Sequence, residues 1–174
     1  LAQQSGADMV AASSDLSDAA ATFSDGHGVD AVIITASTKD NGPIEVAGEI
    51  TRKKGRVVVV GAVGMNIPRE PYYKKELELR LSMSYGPGRY DVQYEEQGRD
   101  YPFGYVRWTE QRNMQAFLEL VAERKVHLKP LITHRFPIEQ AESAYALMME
   151  GSTPYIAMVI TYPTDRARPL PRTI

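Results

Sequence analysis

Three stretches of this chain hold residue types and spacings that can do chemistry. The first is Gly61, Ala62, Val63 and Gly64, which follow the run Val57, Val58, Val59 and Val60. Glycine after an apolar strand lets the backbone turn sharply and lets a ligand reach it with no side chain in the way. In open α/β sheets ligands bind just outside the carboxyl ends of the strands. A plain buried strand with a tight exit turn would have the same sequence. The second stretch is residues 85–108, with five of the ten tyrosines and the only tryptophan. Arg89, Tyr90, Tyr94, Tyr101, Tyr105, Arg107 and Trp108 can wall a substrate cleft, because aromatic faces stack on sugars and arginine grips carboxylate or phosphate. They can equally pack on one another or on a partner subunit. The third set is His27, His127 and His134, which lie in separate elements and lack the paired spacing of metal ligands. His134 reads as structural, and the adjacent Glu95 and Glu96 read as solvated rather than as an acid–base pair.

These residues need elements to position them. Residues 8–11 read as a short apolar strand, and Ser13, Ser14 and Asp15 as the cap of a helix with Leu16, Ala19, Ala20 and Phe23 on one face. Residues 30–35 are a second strand. Pro43 opens a helix, Arg52, Lys53 and Lys54 complement its negative end, and Gly55 stops it. The valine strand follows, apolar on both faces and so suited to cover by helices on both sides. Strand, helix, strand, helix, strand argues a parallel sheet with right-handed crossovers. Residues 65–75 read as a loop. In residues 76–84, Leu77, Leu79, Leu81 and Met83 alternate with Glu76, Glu78 and Arg80, the pattern of an edge strand. Residues 85–108 have no periodicity, and so many aromatics argue against disorder. Thr109 caps a helix to about residue 125, with Met114, Phe117, Leu118 and Val121 on its apolar face. Residues 131–136 are extended, Pro137 opens a helix that ends at Gly151, and residues 156–162 form a last strand. The tail from Pro163, rich in proline and arginine, reads as a linker or arm.

Composition narrows the classes. The chain has 174 residues, 43% hydrophobic and 24% charged, with a formal charge of −2 from 20 basic and 22 acidic residues. That is enough chain for one core and shows no nucleic-acid or membrane-binding footprint. No apolar run reaches the ~20 residues that span a bilayer. Cysteine is absent, which excludes disulfides, a thiol nucleophile and thiolate metal sites. A cytoplasmic protein is expected. The first residues, LAQQSGADMV, read as the last turn of a helix and then a strand, so a fragment of a longer protein is expected.

The order of motifs is more specific than any one of them. GAD, GHGVDAVI, GRVVVVGAVG, a leucine-alternating strand ending in Ser84, Tyr85 and Gly86, and then LKPLITHRFPIEQAESAY together resemble the cofactor-binding half of the medium-chain dehydrogenase/reductase family, the zinc-type alcohol and threonine dehydrogenases. The likeness covers about residues 1–162. The stretch SYGPGRYDVQYEEQGRDYPFGYVRWTEQRN is similar to the dehydrogenase part of two-part oxidoreductases that continue into a glucose–fructose-oxidoreductase-like region. The resemblance implies an α/β fold: a partial Rossmann-like parallel sheet with flanking helices, its first two strands absent. The implied organisation is a partial NAD(P)-binding domain at 1–162, an aromatic insertion at 85–108, and a linker or tail at 163–174.

The resemblance also implies a site. Thr35, Ala36 and Ser37 would lie near the adenosine ribose of NAD or NADP. Gly61, Ala62 and Val63, with Ser84, Tyr85 and Gly86, would lie near the nicotinamide and its carboxamide. Arg89, Tyr90, Tyr105 and Trp108 are the candidates for contact with a small alcohol, aldehyde or sugar. The family often carries Arg or Lys just before the closing strand, where this chain has Ala157. No catalytic or metal-binding residue is implied within this chain; zinc would enter only through an amino-terminal domain that is missing here. The expected function is the carboxyl-terminal cofactor-domain part of an NAD(P)-dependent alcohol or sugar dehydrogenase, inactive alone. The alternative is a non-catalytic association module that no longer binds nucleotide, dimerising through strand 76–84. If strands 1 and 2 are missing, residues 8–11 must pair with residues 30–35, sit outside the main sheet, or fill a gap in another copy.

Overall fold

The computed structural model describes residues 1–163; the expected tail lies outside the described residues apart from Pro163. Strands β1 (Val29–Ile34), β2 (Thr51–Val59) and β3 (Glu78–Leu81) form a parallel sheet in the order β1-β2-β3. Helix α1 (Leu16–Phe23) precedes β1, α2 (Gly42–Ile50) links β1 to β2, and α3 (Arg69–Lys74) lies between β2 and β3. This is the expected α/β, Rossmann-like arrangement of a parallel sheet with flanking helices.

The core forms because alternate residues of each strand meet α2. Ile34, Val57 and Val59 pack on Ile44 and Ala47, with Val32, Val63, Tyr72, Leu77 and Leu79 around them. Each fully buried aliphatic side chain stabilises the fold by roughly 1.5–3 kcal/mol. The valine strand is not covered on both faces as its composition suggested. Val57 is fully buried, but Val60 is 53% and Ile33 65% exposed, so the face opposite α2 is largely open. The strand reads as two-sided because apolar character was continuous, whereas the cover on the second face is absent among the described residues.

Gly55 does not stop α2. That helix ends at Ile50, and residues 52–55 already belong to β2. Val29 pairs with Thr51 and Ala31 with Arg56, so residues 52–55 bulge out of the ladder. Glycine is required at 55 because a Cβ there would lie 2.4 Å from Thr51 Cγ2 and 3.0 Å from the Asp30 carbonyl. The carbonyl end of α2 is instead closed from a distance. Lys75 Nζ donates to the carbonyls of Gly48 (3.0 Å), Glu49 (2.5 Å) and Thr51 (3.0 Å), placing a cation at the negative helix end.

Several other expectations change. Residues 8–11 form no strand and lie outside the sheet, one of the three arrangements expected of them; Asp8, Met9 and Ala11 border an open hollow with α1 and β1. Ser13–Asp15 is a 3-10 turn, and no side chain caps α1. The loop 65–75 contains α3, and the insertion contains α4 (Val92–Glu95). The edge strand is shorter than 76–84, and its Leu81 is 70% exposed. Helix α5 (Glu110–Ala122) begins after Thr109, but the threonine hydroxyl makes no cap; it is buried and unpartnered. The apolar face of α5 exists in pattern only, since Met114, Phe117 and Leu118 are exposed. Pro137 ends β4 (Ile132–Pro137) rather than opening a helix, and a 3-10 turn precedes α6 (Ala141–Glu150). The last strand, β5 (Ala157–Thr161), pairs in parallel with β4 in a separate two-stranded sheet. As expected, α6 stops at Gly151, whose φ of +61° needs no Cβ. No described helix is long and apolar enough to cross a membrane.

Candidate functional site

The carboxyl ends of β1, β2 and β3 release three loops side by side, because parallel pairing fixes all three strands in one direction. The N–H groups of Val60 and Gly61 both donate to the Ile34 carbonyl at 2.9 Å. Thr38 N–H donates to the Ala62 carbonyl (2.8 Å), Gly64 N–H to the Asp40 carbonyl (2.9 Å), and Ser82 N–H to the Val59 carbonyl (2.9 Å). The loops holding Thr35, Ala36 and Ser37 and holding Gly61, Ala62 and Val63 are thereby tied together. The loop with Ser84, Tyr85 and Gly86 is tied to α5 instead: Asn113 Nδ2 donates to the Tyr85 carbonyl at 2.8 Å.

This contact changes the reading of Gly61. A Cβ on Gly61 would lie 2.0 Å from the Ala36 carbonyl oxygen. The space that glycine leaves is occupied by the neighbouring loop, not held open for a ligand. Open space lies on the other side of the β1 exit. There Thr35, Ala36, Thr38, Asp40 and Pro43 border a hollow of about 660 Å³. Of the residues expected at the site, only Thr35 and Ala36 line it. The Asp40 carboxylate accepts the N–H of Gly42 at 2.6 Å, which turns the chain into α2.

The insertion is tied to itself and to α5 by hydrogen bonds, while Tyr85, Tyr90 and Trp108 stay exposed. Asp91 Oδ1 accepts the N–H of Gln93 and starts α4, and Asp91 Oδ2 accepts the hydroxyl of Tyr101. That hydroxyl holds the Asp91 carboxyl below the usual carboxylate range, and the carboxylate raises the Tyr101 phenol in turn. Tyr101 stacks on Tyr94 at 5.6 Å. Arg112 pins the insertion to α5 by donating to Asp100 and to the carbonyls of Tyr101 and Val106. Arg89 is already engaged: its guanidinium bonds Glu95 at 2.5 Å and lies 4.4 Å from the Tyr90 ring centre. Glu95 is therefore paired, while Arg107 lies over Trp108 (4.1 Å) and Phe103 (4.7 Å). Tyr105 is 91% exposed.

Arg89 with Tyr90, and Arg107 with Trp108, are thus brought together as stacked pairs. Asp91, Asp100 and Arg112 organise the insertion and were missed by sequence reasoning; the one local signal was Asp91, two residues before the N–H it receives. His134 Nδ1 lies 2.9 Å from Thr133 Oγ1, and its ring stacks near Phe136. Among the described residues no three His, Asp or Glu side chains converge to hold a metal ion.

A three-stranded parallel sheet with its loops gathered at one edge defines the chain as part of a Rossmann-like α/β unit. The family model for zinc-binding dehydrogenases matches residues 5–154, and the chain belongs to that family. Among solved structures it is similar to AibC, with 20% identity, a TM-score of 0.65, and coverage of 92% of this chain and 41% of that one. An oxidoreductase/dehydrogenase of unknown specificity from Escherichia coli gives 18% identity, a TM-score of 0.66, and coverage of 93% and 40%. Galactitol-1-phosphate dehydrogenase from Escherichia coli gives 19%, 0.54, and coverage of 83% and 36%. The chain thus spans well under half the length of these solved relatives. No curated protein matches the sequence.

Proposed function

We propose that this chain is the cofactor side of an NAD(P)-dependent dehydrogenase, part of a longer enzyme acting on an alcohol, aldehyde or sugar. The observation that carries the reading is the set of tied strand exits beside the hollow at Thr35 and Ala36, in a chain of the zinc-binding dehydrogenase family. At the first exit Thr35 and Ala36 border a hollow of about 660 Å³, which supports a ligand there. Thr35, Ala36 and Ser37 would hold the adenosine ribose. Ala62, Val63, Ser84, Tyr85 and Gly86 would offer backbone groups to the carboxamide, with Gly61 setting the loop contact. When bound, the nicotinamide gives or takes the hydride. Among the described residues no ligand set for zinc comes together. The stretch 84–113 supports a two-part parent with a glucose–fructose-oxidoreductase-like region, and a cytoplasmic setting goes with this reading.

Titration of the full chain with NADH and NADPH, followed by nicotinamide fluorescence, tests it. Saturable binding of one coenzyme is expected, and Gly61→Ala should weaken it by displacing the Ala36 loop. A folded chain that binds neither would overturn the reading.

A second reading, a non-catalytic association module, is favoured by the free outer edge of β3 with exposed Leu81 and Met83. It expects a concentration-dependent dimer in sedimentation with no nucleotide binding.

A further inference from the structure

The segment that joins β1 to α2 carries one side chain turned away from its usual use. Asparagine at a helix start ordinarily accepts the first free N–H groups of its own helix. Asn41 precedes α2, and its backbone carbonyl accepts the N–H groups of Ile44 (3.0 Å) and Glu45 (3.1 Å). Its side chain makes no cap on α2. The Gly42 N–H goes to the Asp40 carboxylate at 2.6 Å instead. The Asn41 side chain reaches 25 residues along the chain, where its Oδ1 accepts the N–H of Asn66 at 3.1 Å.

The loop that receives it is shaped for the contact. A Cβ on Gly64 would meet Asn41 Oδ1 and lie 2.9 Å from the Asp40 carbonyl. Gly64 therefore leaves room for the Asn41 amide, and its own N–H donates to the Asp40 carbonyl at 2.9 Å. The β2 exit loop, residues 60–66, is thus held along its length. The N–H groups of Val60 and Gly61 meet the Ile34 carbonyl, Val63 packs on the core, and Gly64 and Asn66 are bound by Asp40 and Asn41. Asn41 supplies the last of these ties. Together they use the N–H groups of Gly61, Gly64 and Asn66 and leave those of Ala62 and Val63 between them. A loop fixed on both sides of its working backbone needs little ordering when a ligand arrives.

We propose that Asn41 is a positioning residue: it sets the β2 exit loop so that the backbone at Ala62 and Val63 meets the nicotinamide end of the coenzyme. The inference rests on the coenzyme reading above. Asn41 acts through the loop and does not border the hollow at Thr35 and Ala36.

Two ligands separate this role from a general loss of structure. NADH carries the nicotinamide, and ADP-ribose has the same adenosine and pyrophosphate without it; NADPH and 2′-phospho-ADP-ribose form the matching pair. Each is titrated by calorimetry into the full chain and its Asn41→Ala and Asn41→Asp forms. Asn41→Ala should weaken the reduced coenzyme about fivefold, the worth of one hydrogen bond, and leave the ligand without nicotinamide within about twofold. Asn41→Asp keeps the acceptor and should restore the native ratio of the two affinities. Its added charge acts on the same pyrophosphate in both ligands and cancels. Lys75→Met loosens the opposite end of α2 and should leave that ratio unchanged. Without ligand, amide hydrogen exchange at Gly64 and Asn66 should quicken about tenfold or more in Asn41→Ala and return to the native rate in Asn41→Asp. Equal weakening of both ligands, an unchanged coenzyme affinity, unchanged exchange at Asn66, or no rescue by Asn41→Asp would overturn the proposal while the coenzyme reading stands. So would a ratio that Lys75→Met moves as far. A native chain that binds neither pair would overturn the coenzyme reading, and the role of Asn41 with it.

Discussion

Tyr72 gives the most exacting test of how the sheet is held to its helices. Its hydroxyl donates to the Ile44 carbonyl at 2.8 Å, and its ring lies against Gly48, where an added Cβ would be 2.7 Å from Tyr72 Cε2. Burial pushes its phenol from the ordinary 10.0 up to about 12. The folded pKa is raised, so the neutral form is the one the fold favours. The associated stability is fully present below pH 10 and is lost as pH rises toward 12. Carried whole, that rise is worth ~2.7 kcal/mol. The ring is only half-buried, and solvent screening reduces the expected pH-dependent part to roughly 1 kcal/mol. Tyr72→Phe keeps the ring and removes the hydrogen bond, at a cost of about 1 kcal/mol near neutrality. Urea unfolding of both proteins at pH 8, 10 and 11.5 measures the difference. The native chain should be the more stable at pH 8, and its advantage should shrink between pH 10 and 12. The other tyrosines and lysines titrate in both proteins and cancel in the comparison. An advantage that stays constant across this window would refute the argument that burial of the neutral phenol sets the shift.

Other perturbations test other joints of the fold. Gly55→Ala should lower stability by about 1–3 kcal/mol in urea unfolding, because the new methyl meets Thr51, the Arg52 carbonyl of the bulge and the Asp30 carbonyl of β1. Gly104→Ala, where a Cβ meets nothing within 4 Å, should stay within ~0.5 kcal/mol and serves as the control. Lys75→Met should cost about 1–3 kcal/mol, since three carbonyls at the end of α2 lose their donor. Arg112→Ala should release the insertion from α5, and limited proteolysis should then cut within residues 89–108 far faster than in the native chain.

What was legible in the sequence was what depends on neighbours along the chain. The continuous valine run at 57–60 located the core strand, and Gly151 located the end of α6, because both are local requirements. The misses lie where distant residues decide. Arg52, Lys53 and Lys54 looked like a helix end, yet the closure of α2 comes from Lys75, and Gly55 answers to Thr51 and Asp30 across a bulge. Helix α3 hid behind Pro68 and Pro71, although proline is tolerated at a helix entrance and in its first turn. At the site, glycine at 61 was visible, but its reason was not: the Ala36 carbonyl fills the space that a ligand was expected to use. The ties of the insertion rest on pairs such as Asp91 with Tyr101 and Asp100 with Arg112, ten and twelve residues apart, which no periodic pattern marks.

The three-stranded sheet has consequences for assembly that follow from its two outer strands being different. No described strand pairs with the outside of β1 or of β3. Two copies meeting edge to edge through β3, or through β1, close on a two-fold axis and stop at a pair. A β1 edge meeting a β3 edge leaves one unused edge of each kind at the ends, so growth continues into an open filament. The same bare backbone therefore supports a finite particle or an unlimited one. Which forms is decided by the side chains that flank each edge: Leu81 and Met83 beside β3, and the open apolar hollow beside β1.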